Sequence, residues 1–184
     1  RAWLNDADPA MSALWDVVIH NPTNLHVTVE VTPEAMRLFP TSDYYQADLE
    51  LLRTLTSPED LQRIPAESLA IAKLVVHQMS YSGLGTRAGG PMRYRLCRYN
   101  VDTLCSKIYT CNEILTAVSL RNDTCTCLDF EELFGPGDAF FYCDPPYVKA
   151  GPHLYQVAFT QADHERLARR LRSEKRGVGR RTNS

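Results

Sequence analysis

The sequence predicts an α/β fold, and three observations carry that prediction. Near the C-terminal end, the apolar run Ala139-Phe140-Phe141-Tyr142-Cys143 is bounded by Gly135-Pro136-Gly137-Asp138 and stopped by Pro145-Pro146. A short, aromatic-rich run bounded this way reads as a buried strand. At the other end, Ala2-Trp3-Leu4-Asn5 reads as the end of a second strand, which passes through Asp6 into a helix opened by Asp8-Pro9. Between them lie long stretches with apolar residues at helical spacing. Asp6 and Asp144 thus both fall at C-terminal strand tips, where open α/β sheets bind ligands.

The totals permit this fold and exclude several classes. The 184 residues suffice for one domain with a sizeable core. Hydrophobic residues make up 44% and charged ones 23%, so a soluble globular chain is expected. No apolar run approaches membrane-spanning length and the start carries no signal-peptide pattern, which points to a cytoplasmic protein. The net charge of −2 gives no global basic field, so any nucleic-acid signal must be local. The six cysteines contain no C-x-x-C pair, and Cys125-x-Cys127 would point to opposite faces of a strand. Reduced thiols are expected, with Cys143 buried in its strand and no metal site.

The elements follow in order. Asp8 suits an N-cap with Pro9 at the first helical position, and Leu14, Val17 and Val18 fall on one face. Residues 21–65 read as helices with polar breaks, with starts at Thr32-Pro33-Glu34-Ala35, Thr41-Ser42-Asp43 and Ser57-Pro58-Glu59-Asp60. Leu49, Leu51, Leu52 and Leu55 form an apolar face. His20 and His26 have no partners at ligand spacing. A helix is predicted over 66–79, followed by a glycine-rich loop, Ser80-Tyr81-Ser82-Gly83-Leu84-Gly85-Thr86-Arg87-Ala88-Gly89-Gly90-Pro91.

Between Ser68 and Val101 there is no acidic residue, while Lys73, Arg87, Arg93, Arg95 and Arg98 lie there, interleaved with Tyr81, Tyr94 and Tyr99. Basic side chains beside aromatics on a loop suit phosphate contact and base stacking; a solvated surface stretch would look the same. A helix over 104–115 is followed by strand-like runs at 117–120 and 124–128, with Arg121-Asn122-Asp123 as the turn. Asp129-Phe130 closes the second run, and Glu131-Glu132-Leu133-Phe134 begins a short helical turn. Thr160-Gln161-Ala162-Asp163 caps a last helix to about Ser173, with Leu167 and Leu171 inward and arginines outward. The basic stretch from Lys175 to Ser184 spoils the apolar strand expected next.

The chemistry concentrates at Asp144-Pro145-Pro146-Tyr147. Two prolines remove two N–H donors and fix φ while their carbonyls still accept. A carboxylate beside a rigid carbonyl is a two-acceptor clamp for a planar amine, and Tyr147 offers a ring to stack on. Such a site suits the exocyclic amine of a nucleobase swung out of its helix.

This motif, with the segments Val148-Lys149-Ala150-Gly151-Pro152-His153-Leu154-Tyr155 and Phe159-Thr160-Gln161-Ala162-Asp163-His164-Glu165-Arg166-Leu167 behind it, resembles Dam-like adenine-N6 DNA methyltransferases. The resemblance implies a Rossmann-like, S-adenosylmethionine-dependent methyltransferase sheet with a mostly helical recognition insertion. It assigns 1–20 and 117–184 to the catalytic domain and 21–116 to the insertion. Asp144, Pro145, Pro146 and Tyr147 would be catalytic. Leu4-Asn5-Asp6-Ala7-Asp8-Pro9 resembles the family's second motif, in which Asp6 would contact the cofactor ribose. Asp129 and Phe130 would hold its adenine, and Asp144 would also line the cofactor site. Ser80, Tyr81, Ser82, Arg87, Arg93, Arg95 and Arg98 would touch DNA. The partner implied is double-stranded DNA with a flipped adenine, read by a monomer, in a phage or bacterial restriction-modification setting.

The chain opens after the point where the family places a glycine-rich cofactor turn, so the sheet is expected to be incomplete at both ends, as in a fragment. Two other readings stay open at this stage: a catalytically inactive DNA-binding remnant without that turn, and an RNA adenine methyltransferase.

Overall fold

The computed structural model describes residues 3–38, 41–55, 59, 63–80, 85–87, 99–117, 125–135, 140–146, 157 and 159–178. The chain forms two compact units, Arg1–Cys127 and Leu128–Ser184.

The first unit contains a two-stranded parallel sheet. Strand β1 (Leu4–Asn5) pairs with β2 (Cys125–Thr126) in the register Leu4 to Cys125 and Asn5 to Thr126. The Asp6 amide continues the ladder, donating to the Thr126 carbonyl at 3.1 Å. Side chains fix the register: Trp3 Nε1 donates to Thr126 Oγ1 at 2.8 Å, and that hydroxyl donates to Asn5 Oδ1 at 2.7 Å. Parallel neighbours need a long crossover, and among the described residues five α-helices lie between the strands.

Helix α1 (Pro9–His20) begins as the sequence predicts, with Asp8 accepting from the Ala10 and Met11 amides. It buries Ala10, Ala13, Val17 and Val18 in a core shared with α4 (Ala66–Met79), whose bounds match the predicted helix and which contributes Leu69, Ala72, Val75, Val76 and Met79. Helix α3 (Thr41–Thr54) also starts where expected and, with Leu55 just beyond its end, buries Leu49, Leu52 and Leu55; Leu51 is half-buried. The helix start expected at Ser57 lies outside the described residues apart from Glu59. Helix α5 (Val101–Ala117) is longer than predicted and takes up Ala117, while 118–120 lie outside the described residues. Asn112 Nδ2 on α5 donates to the Val18 and Ile19 carbonyls at 3.0 Å, closing the C-terminal end of α1. Helices within 21–116 therefore share a core with α1, and packing draws no boundary at residue 20 or 21.

One expected helix start is corrected. Thr32-Pro33 does not open a helix; Pro33 sits inside α2 (Pro22–Leu38). Proline there leaves the Val29 carbonyl without its helical donor. The buried row Leu25, Val29 and Thr32, at helical spacing, carries the helix past it. Thr32 Oγ1 turns back to donate to the Thr28 carbonyl at 2.7 Å.

In the second unit a 3-10 turn (Phe130–Leu133) follows Asp129, as the short helical turn was expected to. Helix α6 (Gln161–Val178) outruns its predicted end at Ser173. Its N-terminus is a capping box: Thr160 N and Oγ1 donate to Asp163 Oδ2 at 2.8 and 2.7 Å, and the Asp163 amide returns to Thr160 Oγ1. Leu167 is buried, Leu171 half-buried, and Arg169 and Arg172 are exposed.

The buried strand expected over 139–143 is also corrected. Residues 140–146 carry no regular secondary structure; Phe140 is 92% exposed, Tyr142 83%, and Cys143 is exposed rather than buried. Among the described residues of the run only Phe141 turns inward, its ring 4.5 Å from that of Phe134. A strand exists only through its neighbours, and among the described residues no segment pairs with this one. Its apolar content therefore does not suffice.

Candidate active site

Asp6 stands at the C-terminal tip of β1, as the sequence suggested. Its Oδ1 accepts the Asp8 amide at 2.8 Å, and its Oδ2 has no hydrogen bond among the described residues. Burial pushes the Asp6 carboxyl above the usual carboxylate range, partly opposed by that amide. A shallow pocket of about 70 Å³ opens beside it, lined by Leu4, Asn5, Asp6, Ser12, Trp15, Cys125 and Thr126. The Cys127 thiol, pushed up to about 11 by burial, faces the Ala7 carbonyl at 3.5 Å and stays a thiol at neutral pH.

The loop carrying Asp6 is anchored from below. Asp8 caps α1 and pairs with Lys73 Nζ of α4; both side chains are nearly buried, at 13% and 11% exposure. The sequence reading grouped Lys73 with the basic side chains suited to phosphate contact; the structure instead buries it against Asp8. The signal for that burial was a lone cation at a position of α4 flanked by the buried Leu69, Ala72 and Val76.

Asp129 and Phe130 belong to the second unit. Asp129 Oδ1 accepts the Glu131 amide at 2.9 Å, and the Asp129 amide donates to Glu132 Oε1 at 3.2 Å, so the residue caps the 3-10 turn. Arg166 of α6 was missed, because it sat among arginines expected to face solvent. Its Nη2 donates at 2.9 Å to Asp129 Oδ1 and to Glu131 Oε2, its Nη1 at 2.9 Å to Asp163 Oδ1, and its guanidinium lies 4.8 Å from the Phe130 ring centroid. Phe159 leans on Phe130 at 5.7 Å.

Asp144 is exposed and makes no hydrogen bond among the described residues, while Pro145 and Pro146 are half-buried. Tyr147 lies outside the described residues. So do Tyr81, Ser82, Arg93, Arg95 and Arg98 of the expected DNA contacts. Ser80 is fully buried; its hydroxyl accepts from the Gly85 amide at 2.8 Å and donates to the His77 carbonyl at 3.2 Å. It shapes the turn at Gly85, whose φ of +57° favours glycine. Arg87, two residues on, is exposed. Tyr99, expected beside the basic side chains, is 5% exposed and belongs to the core.

Among the described residues no group of three or more His, Cys, Asp or Glu is placed to hold a metal ion, and no helix is long and apolar enough to cross a membrane. The family model described as D12 class N6 adenine-specific DNA methyltransferase matches residues 1–181. Searches of curated proteins and of solved structures returned no match.

Proposed function

The chain belongs to the D12 class N6 adenine-specific DNA methyltransferase family and is an enzyme that methylates adenine N6 in DNA; from that premise we propose how its residues divide the work. The family match favours neither an inactive DNA-binding remnant nor an RNA substrate. The methyl donor is S-adenosylmethionine, whose sulfonium supplies an electrophilic methyl group. The donor set suits it: Asp6 offers ribose hydroxyls a half-buried carboxylate oxygen with no hydrogen bond among the described residues, and Asp129 with Phe130 offers an acceptor beside an aromatic ring for its adenine. β1 and β2 would then be two neighbouring strands of a Rossmann-like sheet, with Asp6 at a tip.

The exposed carboxylate of Asp144, beside two prolines and without a hydrogen bond among the described residues, carries the catalytic reading. A flipped adenine stacks on Tyr147. Its N6 amine donates one hydrogen to Asp144 and the other to the Pro145 carbonyl, while Pro146 keeps the turn rigid. Those bonds draw the nitrogen lone pair out of conjugation with the purine, and the amine becomes a nucleophile. Most of the acceleration is positioning and preorganised charge. DNA contact falls to the loop carrying Tyr81, Ser82, Arg87, Arg93, Arg95 and Arg98, with Ser80 bracing it.

Asp144→Ala should lower methyl transfer by about 10²–10³-fold or more and leave duplex affinity near wild type. Tritium transfer from labelled S-adenosylmethionine into unmethylated DNA measures the first and a filter-binding titration the second. Wild-type transfer in this variant would remove Asp144 from the reaction.

A further inference from the structure

We propose that Arg166 is a positioning residue for cofactor recognition: one guanidinium from α6 holds both the carboxylate of Asp129 and the ring of Phe130 where an adenine can be read. The proposal rests on the reading of Asp129 and Phe130 as the adenine site.

Asp129 caps and Phe130 opens a 3-10 turn of four residues, Phe130–Leu133, and none of the four is buried. So short and exposed a turn has little packing of its own to fix two side chains. Arg166 supplies what is missing. Its fork reaches Asp129 Oδ1 and Glu131 Oε2 at 2.9 Å each, and its plane covers Phe130 at 4.8 Å. Arg166 is in turn fixed from its own helix, since Nη1 donates to Asp163, whose other oxygen is held by Thr160 N and Oγ1. The rigid end of α6 thus sets the position of the turn.

The stoichiometry points to a ligand donor as well. Among the described residues three carboxylates surround one guanidinium, an excess of acceptors that ion pairing alone does not require. A carboxylate has about four lone-pair sites, and Asp129 Oδ1 has two donors, the Glu131 amide and Arg166. At 45% exposure the Asp129 side chain keeps acceptor capacity facing solvent, which suits the 6-amino group of a purine. Lysine would not replace arginine here, because a point charge cannot engage three carboxylates and lie flat on a ring.

The test uses the full chain and reads binding rather than turnover. Calorimetry gives the affinities of S-adenosylhomocysteine and of S-inosylhomocysteine, which has a 6-oxo group in place of the amine, for wild type, Arg166→Ala, Arg166→Lys and Arg170→Ala. Arg170 is the control: on the same helix, it donates to the Phe134 carbonyl at 2.7 Å and lies over the Phe134 ring. Wild type should prefer the adenosyl ligand by about tenfold or more, the size of one lost charge-assisted hydrogen bond. Arg166→Ala should lose most of that preference together with affinity, and Arg166→Lys should lose it while keeping the charge; the lysine variant decides the matter if the alanine variant fails to fold. Arg170→Ala should keep the preference. A wild-type preference retained in the folded Arg166 variant would overturn the role of Arg166 alone. No preference in wild type would overturn the adenine site itself, and the proposal with it.

Discussion

Asp48 on α3 is held against its own chemistry. Burial pushes its carboxyl up to about 6 from 3.8, and its Oδ2 is buried without a hydrogen-bond partner among the described residues. Burial likewise raises Tyr44, and raises Tyr99 to about 12, each with a further contribution from the Asp48 charge. The folded carboxyl titrates above the unfolded one, so folding takes up a proton between about 3.8 and 6. Stability from this group is greatest below that window, falls as pH rises through it, and stays low above it. Asp48→Asn should therefore stabilise the chain at pH 8 by about 1 kcal/mol, after discounting for partial solvent screening, and the gain should shrink toward pH 4. Thermal melts at the two pH values check this; an equal gain at both would refute the burial account. None of this was legible in the sequence. The spacing of Leu49, Leu52 and Leu55 marked a core face on α3, but the burial of Asp48 depends on α3 meeting its neighbours, which no local pattern records.

Among the elements, α1 and α4 were the most legible, because each is specified locally. Asp8-Pro9 carries its own stop signal for the chain before it, and the apolar face over 66–79 has one period throughout. The failures have a common cause. Thr32-Pro33-Glu34 has the local look of a helix start, yet the buried row of α2 outweighs it. The run over 139–143 has the composition of a strand, yet composition supplies no partner. The pairing of β1 with β2 was invisible for the same reason: its register is set across the whole intervening chain. The join between α1 and α4 supplies a test at this scale. Asp8→Ala removes a helix cap and leaves the Lys73 ammonium nearly buried without its partner, and it should cost about 3 kcal/mol or more. Lys73→Met strands the Asp8 carboxylate but leaves it the cap bonds from Ala10 and Met11, and it should cost less than Asp8→Ala. Urea unfolding of the two variants decides between them. Equal costs would mean that the ion pair, and not the cap with its stranded cation, dominates.

For the molecule as a whole, charge bears most directly on function. With 20 Lys and Arg against 22 Asp and Glu, the chain has a net charge of −2, so its overall field does not draw it to a polyanion. Affinity for duplex DNA must then come from a local surface, and the acid-free stretch between Ser68 and Val101 is a candidate. That stretch can be read off the sequence because charge spacing is a one-dimensional property, but the structure places its Lys73, Ser80 and Tyr99 in the core. The placements of Lys73 and Arg166 were not legible, because each acts on a turn distant in sequence. If Arg87, Arg93, Arg95 and Arg98 meet phosphates, each neutralises one and releases its counterion. The logarithm of the DNA association constant should fall linearly with the logarithm of salt concentration. Each Arg→Ala change should flatten that slope by about 1, and weaken cognate and non-cognate duplexes alike. Asp144→Ala should leave the slope unchanged. Titrations at several salt concentrations with the four-arginine variant settle the point. A slope equal to that of wild type would move the DNA surface elsewhere on the chain, whereas a loss confined to cognate duplex would make these arginines readers of bases instead of phosphates.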